Sequence, residues 1–136
     1  MAIDRLPPQS IEAEQSVLGA VLIDRDAIIE VADIIRPPDF YRQAHGTIYG
    51  AMLDLWERRE PIDIVTVAEA LERSGDLESI GGRGYLSSLS EQTPTAVFAA
   101  QYARIVERKA VLRNLIAAAG RIAGIGYEDT PEVQEA

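Results

Sequence analysis

Apolar residues recur along the chain three and four positions apart, and prolines, glycines and aspartates cut that recurrence into segments. After the stiff lead-in Pro7-Pro8, Ser10 is placed to cap a first helix from about Ile11 to Leu22. Ile11, Leu18, Val21 and Leu22 form its buried face. Position 13 holds Ala rather than the Glu or Gln of a full capping box, so the cap is an ordinary one. Glu12 and Glu14 suit the positive end of the helix dipole and are expected in solvent. Asp24 or Asp26 then opens a short second helix, DAIIEVADII, which offers Ile28, Ile29, Ala32 and Ile35 to the core. Pro37-Pro38 ends it, because proline lacks an N–H and restricts the residue before it.

The segment FYRQAHGTIYGAMLDLWERRE predicts a third helix whose Ala44, Ile48, Met52 and Leu55 share one face, with a break at Pro61. Asp63 caps IVTVAEALERS, and Gly75 is placed to stop that helix in a left-handed conformation. GGRGYLSSLSEQ predicts a short helix entered through glycines, and Thr93-Pro94 turns the chain into a long one from about Ala96 to Gly124. The run IDIVTV could be read as a strand, but the helix formers AEALER follow it and no Asn-Gly or Asp-Gly hairpin signal appears. The fold class is all-α: a globular helical head, residues 1–94, followed by a long helix that forms part of a helical hairpin, residues 95–136. Thr130 and Pro131 in YEDTPEVQEA read as the cap and first residue of a second hairpin arm, as in a piece of a longer protein.

Along the long helix, Phe98, Tyr102, Ile105, Leu112, Ile116, Ala119 and Ala123 fit a heptad seam interrupted only by Lys109, and Leu115 and Ile122 widen it. Roughly 29 helical residues make a rod of ~43 Å. The remaining ~95 residues make a body with a radius of gyration of about 12 Å. The rod from about Leu112 onward is therefore expected to outreach its own head. Left bare, each large apolar side chain there forfeits ~1.5–3 kcal/mol of burial. A helical hairpin that self-associates is the expected remedy; folding back over the head, or fraying past Ala118, is the alternative. Ala117, Ala118, Ala119, Gly120, Ala123 and Gly124 would let a second helix come close.

Composition narrows the chemistry. The 136 residues suffice for one domain with a real core, and 47% of them are apolar. A net charge of -9 repels phosphate backbones. There is no cysteine and only one histidine, which excludes disulfides, thiolate chemistry and His-rich metal sites. His45 in AHGTIYG reads as a packing histidine. GGRGY lacks the spacing, lysine and hydroxyl of a phosphate loop. Glu12 and Glu14, two apart on a helix, point in different directions and make no catalytic pair. Neither a leader-like apolar segment nor a run near the ~20 residues of a membrane span is present, so a soluble, cytoplasmic domain is expected. One local exception to the acidity is a stripe of Arg104, Arg108, Lys109, Arg113 and Arg121 against a single Glu107. It is expected to flank the apolar seam in solvent; the alternative function is nucleic-acid binding through this stripe.

Five blocks occur together in order: PPQSIEAEQSVLGAVLID, DFYRQAHGTIYGAM, EPIDIVTVAEALERSG, SIGGRGYLSSL and YARIVERKAVLRNLI. Jointly, from Pro7 to about Tyr127, the chain resembles the N-terminal domain of bacterial replicative DNA helicases of the DnaB type. The resemblance implies a helical head and hairpin that pair two subunits, three such pairs forming the collar of a hexamer at the replication fork. It implies primase, DnaG, as the second partner, and contact with DNA only through the parent ring. ATP and Mg belong to a motor domain of which no Walker A motif is present here, so no catalytic, cofactor or metal residues are expected in this chain. Of the contact positions, Glu12 and Tyr85 resemble positions on the head available to neighbours or primase. Ile116 and Ile122 resemble hairpin positions that stabilise the collar, and Ile105, Leu112 and Ala119 belong to the same seam. The bland reading of Tyr85 is a half-buried packing residue with a solvated hydroxyl.

Overall fold

A computed structural model describes residues 5–128. The expected Thr130–Pro131 start of a second arm lies outside them. Helix α1 (Ile11–Ile23) begins where Ser10 accepts a hydrogen bond from the Ala13 N–H at 3.2 Å. It is the centre of the head. Val17, Leu18, Ala20 and Val21 are all fully buried, so this helix is apolar nearly all round rather than along one stripe. Five further helices and the start of a seventh pack about it: α2 (Ala27–Val31), α3 (Gln43–Glu57), α4 (Ile64–Ser74), α5 (Leu77–Ile80), α6 (Gly82–Gln92) and α7 (Ala99–Glu128). Helices α6 and α7 lie directly against α1, and α3 carries α4 and α5 on its outer side. Among the described residues every regular element is helical.

Several local signals act as read. Asp63 caps α4 reciprocally: its carboxylate accepts from the Thr66 N–H at 2.9 Å while Thr66 Oγ1 accepts from the Asp63 N–H at 2.9 Å. Gly75 closes that helix at φ 80°. Ile48, Met52 and Leu55 of α3 are buried, as their spacing predicts. The approach of α6 to α1 depends on Gly19. A Cβ there would meet Leu89 O at 2.4 Å and Thr93 Oγ1 at 1.9 Å, so no side chain fits without moving backbone.

Other expectations need correction. The second helix stops at Val31, and Pro37–Asp39 forms a separate 3₁₀ turn rather than a helix end. In so short a helix Ala27, Ile28 and Val31 make the inward face, which turns Ile29 outward to solvent. The four-residue α5 was not foreseen, being too short for periodicity to reveal it. Helix α7 starts at Ala99, three residues later than the expected 96, and runs to Glu128, four beyond the expected 124. Its inward stripe is Ala99, Ala103, Val106 and Ala110, with Tyr102 and Ile105 at the edge and Phe98 exposed. Small alanines, not the larger apolar residues, face the core because α1 and α2 lie close against this segment.

Tyr49, fully buried on α3, donates its hydroxyl proton to Ile35 O at 3.0 Å and packs on Phe40 at 5.1 Å between ring centroids. Burial, reinforced by the Asp39 charge, raises its pKa well above the ordinary phenol value. The folded state thus holds this proton more tightly than the unfolded chain does. The associated stability is complete below a pH of about 10 and falls as pH rises beyond it. Tyr49→Phe is expected to cost about 1 kcal/mol at neutral pH. It should also flatten the alkaline decline, as urea midpoints measured across that pH range would report.

Candidate protein-interaction surface

Beyond Ala110 no described residue of α7 is buried. At 1.5 Å per residue, the 30-residue helix is about 45 Å long. Its outer half carries Leu115, Ile116 and Ile122 at 61%, 59% and 70% exposure, with Leu112 and Ala119 also exposed. Leu112, Ile116, Ala119 and Ile122 follow one another at steps of four, three and three, so they make one broad stripe. Ile105, from the same expected set, belongs instead to the edge of the head's core. Glu12 is exposed on the first turn of α1, away from the stripe in sequence.

The base of this bare segment is fastened at one point. Arg113 Nη1 donates to Pro8 O at 2.7 Å and Nη2 to Asp39 O at 2.6 Å, while the guanidinium lies 5.5 Å from the centre of the Tyr41 ring. Arg113 was expected in the solvated flank of the seam; instead it is partly buried and closes contacts with residues 105 and 74 positions away in sequence. Arg104, Arg108 and Arg121 do remain exposed. The segment Arg5–Pro8 runs past Arg113, Ile116 and Ala117 and leaves between them a mainly apolar groove of about 650 Å³.

A polar chain lies behind this fastening. Glu14, expected in solvent, is 1% exposed and accepts from the Tyr41 N–H at 2.6 Å and the Arg42 N–H at 3.4 Å. Its position two residues after Glu12 points it inward, where backbone donors ahead of α3 satisfy it. Its Oε1 sits 2.7 Å from Nδ1 of His45, which is fully buried, and His45 Nε2 sits 2.5 Å from the Tyr85 hydroxyl. Drawn as a neutral imidazole, Nδ1–H donates to Glu14 and Nε2 accepts from Tyr85. Gln15 Nε2 donates to the same hydroxyl at 3.3 Å. The His45 and Tyr85 rings are nearly parallel, 8° apart with centroids at 5.9 Å. Tyr85 is half-buried, but its hydroxyl belongs to this chain rather than to solvent. Gly81 caps α6 at φ 111°, where a Cβ would be strained and would stand 2.8 Å from Tyr85 Cβ one turn on, so glycine leaves the Tyr85 side chain its place.

Glu14, His45, Tyr85 and Arg113 lie on four helices, so no sequence spacing could have grouped them. The available signal was weaker: a lone histidine at a packed position needs partners for two ring nitrogens. Among the described residues no group of three or more His, Asp or Glu side chains converges as a metal site, and no helix is long and apolar enough to cross a membrane.

The family model for the DnaB-like helicase N terminal domain matches residues 6–108. The chain belongs to that family. Among curated relatives, the replicative DNA helicase DnaB of Geobacillus stearothermophilus is 52% identical over 130 residues, covering 96% of this chain and 29% of that protein. The replicative DNA helicase DnaC of Bacillus subtilis (strain 168) is 47% identical over 132 residues, covering 97% of this chain and 29% of the relative. The DnaB-type domain described here thus spans less than a third of the length of these two relatives. The crystal structure of the N-terminal domain of DnaB helicase from Mycobacterium tuberculosis superposes with a TM-score of 0.91 at 48% identity, over 96% of this chain and 94% of that one. A solved structure of the Helicobacter pylori DnaB N-terminal domain, described with its interactions with primase, gives a TM-score of 0.74 at 21% identity over 85% and 89%. At that identity it speaks for the shared all-α fold of DnaB-type N-terminal domains.

Proposed function

We propose that this chain is the non-catalytic collar module of a replicative DNA helicase, pairing subunits and docking the primase DnaG at the replication fork in the bacterial cytoplasm. Two working parts serve it: the head, residues 1–94, and the long helix with the start of a second hairpin arm, residues 95–136. In the parent protein three pairs close a hexameric collar, and ATP hydrolysis with Mg and DNA unwinding reside in a separate motor domain. The observation that carries this reading is the bare stripe on the outer half of α7, where Leu115, Ile116 and Ile122 are each more than half exposed. Covering three such side chains is worth several kcal/mol at ~1.5–3 kcal/mol each, and a second copy offers an identical stripe to cover them. Support for primase as the other partner comes from the H. pylori relative, whose structure is described with primase interactions.

Sedimentation equilibrium of this chain beside a form extended through the second arm tests the reading. The extended form is expected to dimerise more tightly; two monomers at every concentration would refute subunit pairing. Titration with single-stranded DNA at low and moderate salt addresses the alternative. Steeply salt-dependent binding would favour phosphate contact by the exposed arginines over an assembly role.

A further inference from the structure

Helix α7 has an inner half packed in the head and an outer half in solvent, and a helix leaving a small body is only as well aimed as its last attachment. Among the described residues the last hydrogen-bonded attachment is Arg113, one turn before Ile116. Its guanidinium holds the Pro8 and Asp39 carbonyls and stacks on Tyr41. Tyr41 is in turn held from behind, because its N–H is bound by the buried carboxylate of Glu14. Glu14 leads through His45 to the hydroxyl of Tyr85, on the half-exposed first turns of α6. From the Tyr41 N–H to the Tyr85 hydroxyl the links are hydrogen bonds of 2.5 to 2.7 Å, and the Arg113–Tyr41 link is a cation–π contact. No buried side-chain nitrogen or oxygen among the described residues lacks a partner. A network satisfied throughout permits few alternative arrangements, so displacement at one end is felt along it.

We propose that Arg113 is a positioning residue that sets the direction in which the outer half of α7 leaves the head, and that Tyr85 acts on it through His45, Glu14 and Tyr41. A partner that presses on the Tyr85 edge of the head thereby biases how the Leu112–Ile122 stripe is presented. This deepens the assembly reading by giving it a control point. It stands on geometry within one chain and can be tested without self-association.

The chain has no cysteine, so spin labels can be placed cleanly at Glu72→Cys on the exposed side of α4 and Arg121→Cys on the outer α7. Pulsed dipolar distances would be measured with labelled chain diluted in unlabelled chain, with helical content followed by circular dichroism. The wild type is expected to give one narrow distance peak. Arg113→Ala, or Arg113→Gln should the alanine variant misfold, is expected to lose it to a broad distribution with helicity retained. Tyr85→Phe, which removes only an oxygen, is expected to broaden the peak less. The double variant is expected to be no broader than the Arg113 variant alone. An unchanged peak in a folded Arg113 variant would overturn the whole inference. An unchanged peak in Tyr85→Phe, or a double variant broader than Arg113 alone, would overturn the link between the two. Either result could arise with the assembly reading intact, and failed dimerisation would leave these distances unaffected.

Discussion

His45→Ala is expected to lower the stability of the domain by about 3 kcal/mol, because it strips a buried carboxylate of one of its partners. Glu14 would keep its two backbone donors but face a cavity where the imidazole stood, and the Tyr85 hydroxyl would lose its acceptor. The penalty for a buried polar group left unmatched is larger than the net worth of the bond removed. For a domain of this size the thermal midpoint should fall by roughly 10 °C. Thermal unfolding followed by circular dichroism checks it. A shift within ~1 °C, as an ordinary surface substitution gives, would mean that the Glu14–His45 pair is incidental to the fold.

The second large effect is on association and leaves the single chain nearly untouched. Ile116→Ala and Ile122→Ala remove side chains that are 59% and 70% exposed, so the unfolding midpoint of dilute protein should scarcely move. At an interface the same truncations are worth on the order of 1.4 kcal/mol each, which is about tenfold in the dissociation constant. The two positions are six residues apart, about 9 Å along the helix, far enough for their effects to add approximately. The double variant should therefore dimerise roughly 100-fold more weakly, measured by sedimentation on the extended form. Unaltered association, or loss of stability in the monomer, would place these side chains against their own head instead.

How far the sequence could be read depended on how local each feature was. Caps at Ser10 and Asp63, the glycine stop at Gly75 and the Ile48–Met52–Leu55 face are set by neighbours within a turn or two, and all were legible. The long helix and its bare outer half were legible too, since length and apolar spacing are properties of the chain alone. Its inner register was not. The core takes the alanines at 99, 103 and 110 together with Val106 where α1 and α2 lie against this segment, a closeness no spacing records. Glu14 and Arg113 were both assigned to solvent on the sound ground that charges prefer it. Each is held inside or at the margin by main-chain groups far away in sequence, and only the folded arrangement supplies those partners.

In the proposed assembly the outer half of α7 is covered by another molecule. Hydrogen–deuterium exchange of the backbone amides from residue 112 to residue 125, followed across a concentration series, tests it most directly. Protection in this segment should rise with protein concentration while the buried turns around Ala103 and Val106 stay constant. Strong protection that is already complete in dilute monomer and does not change with concentration would contradict it.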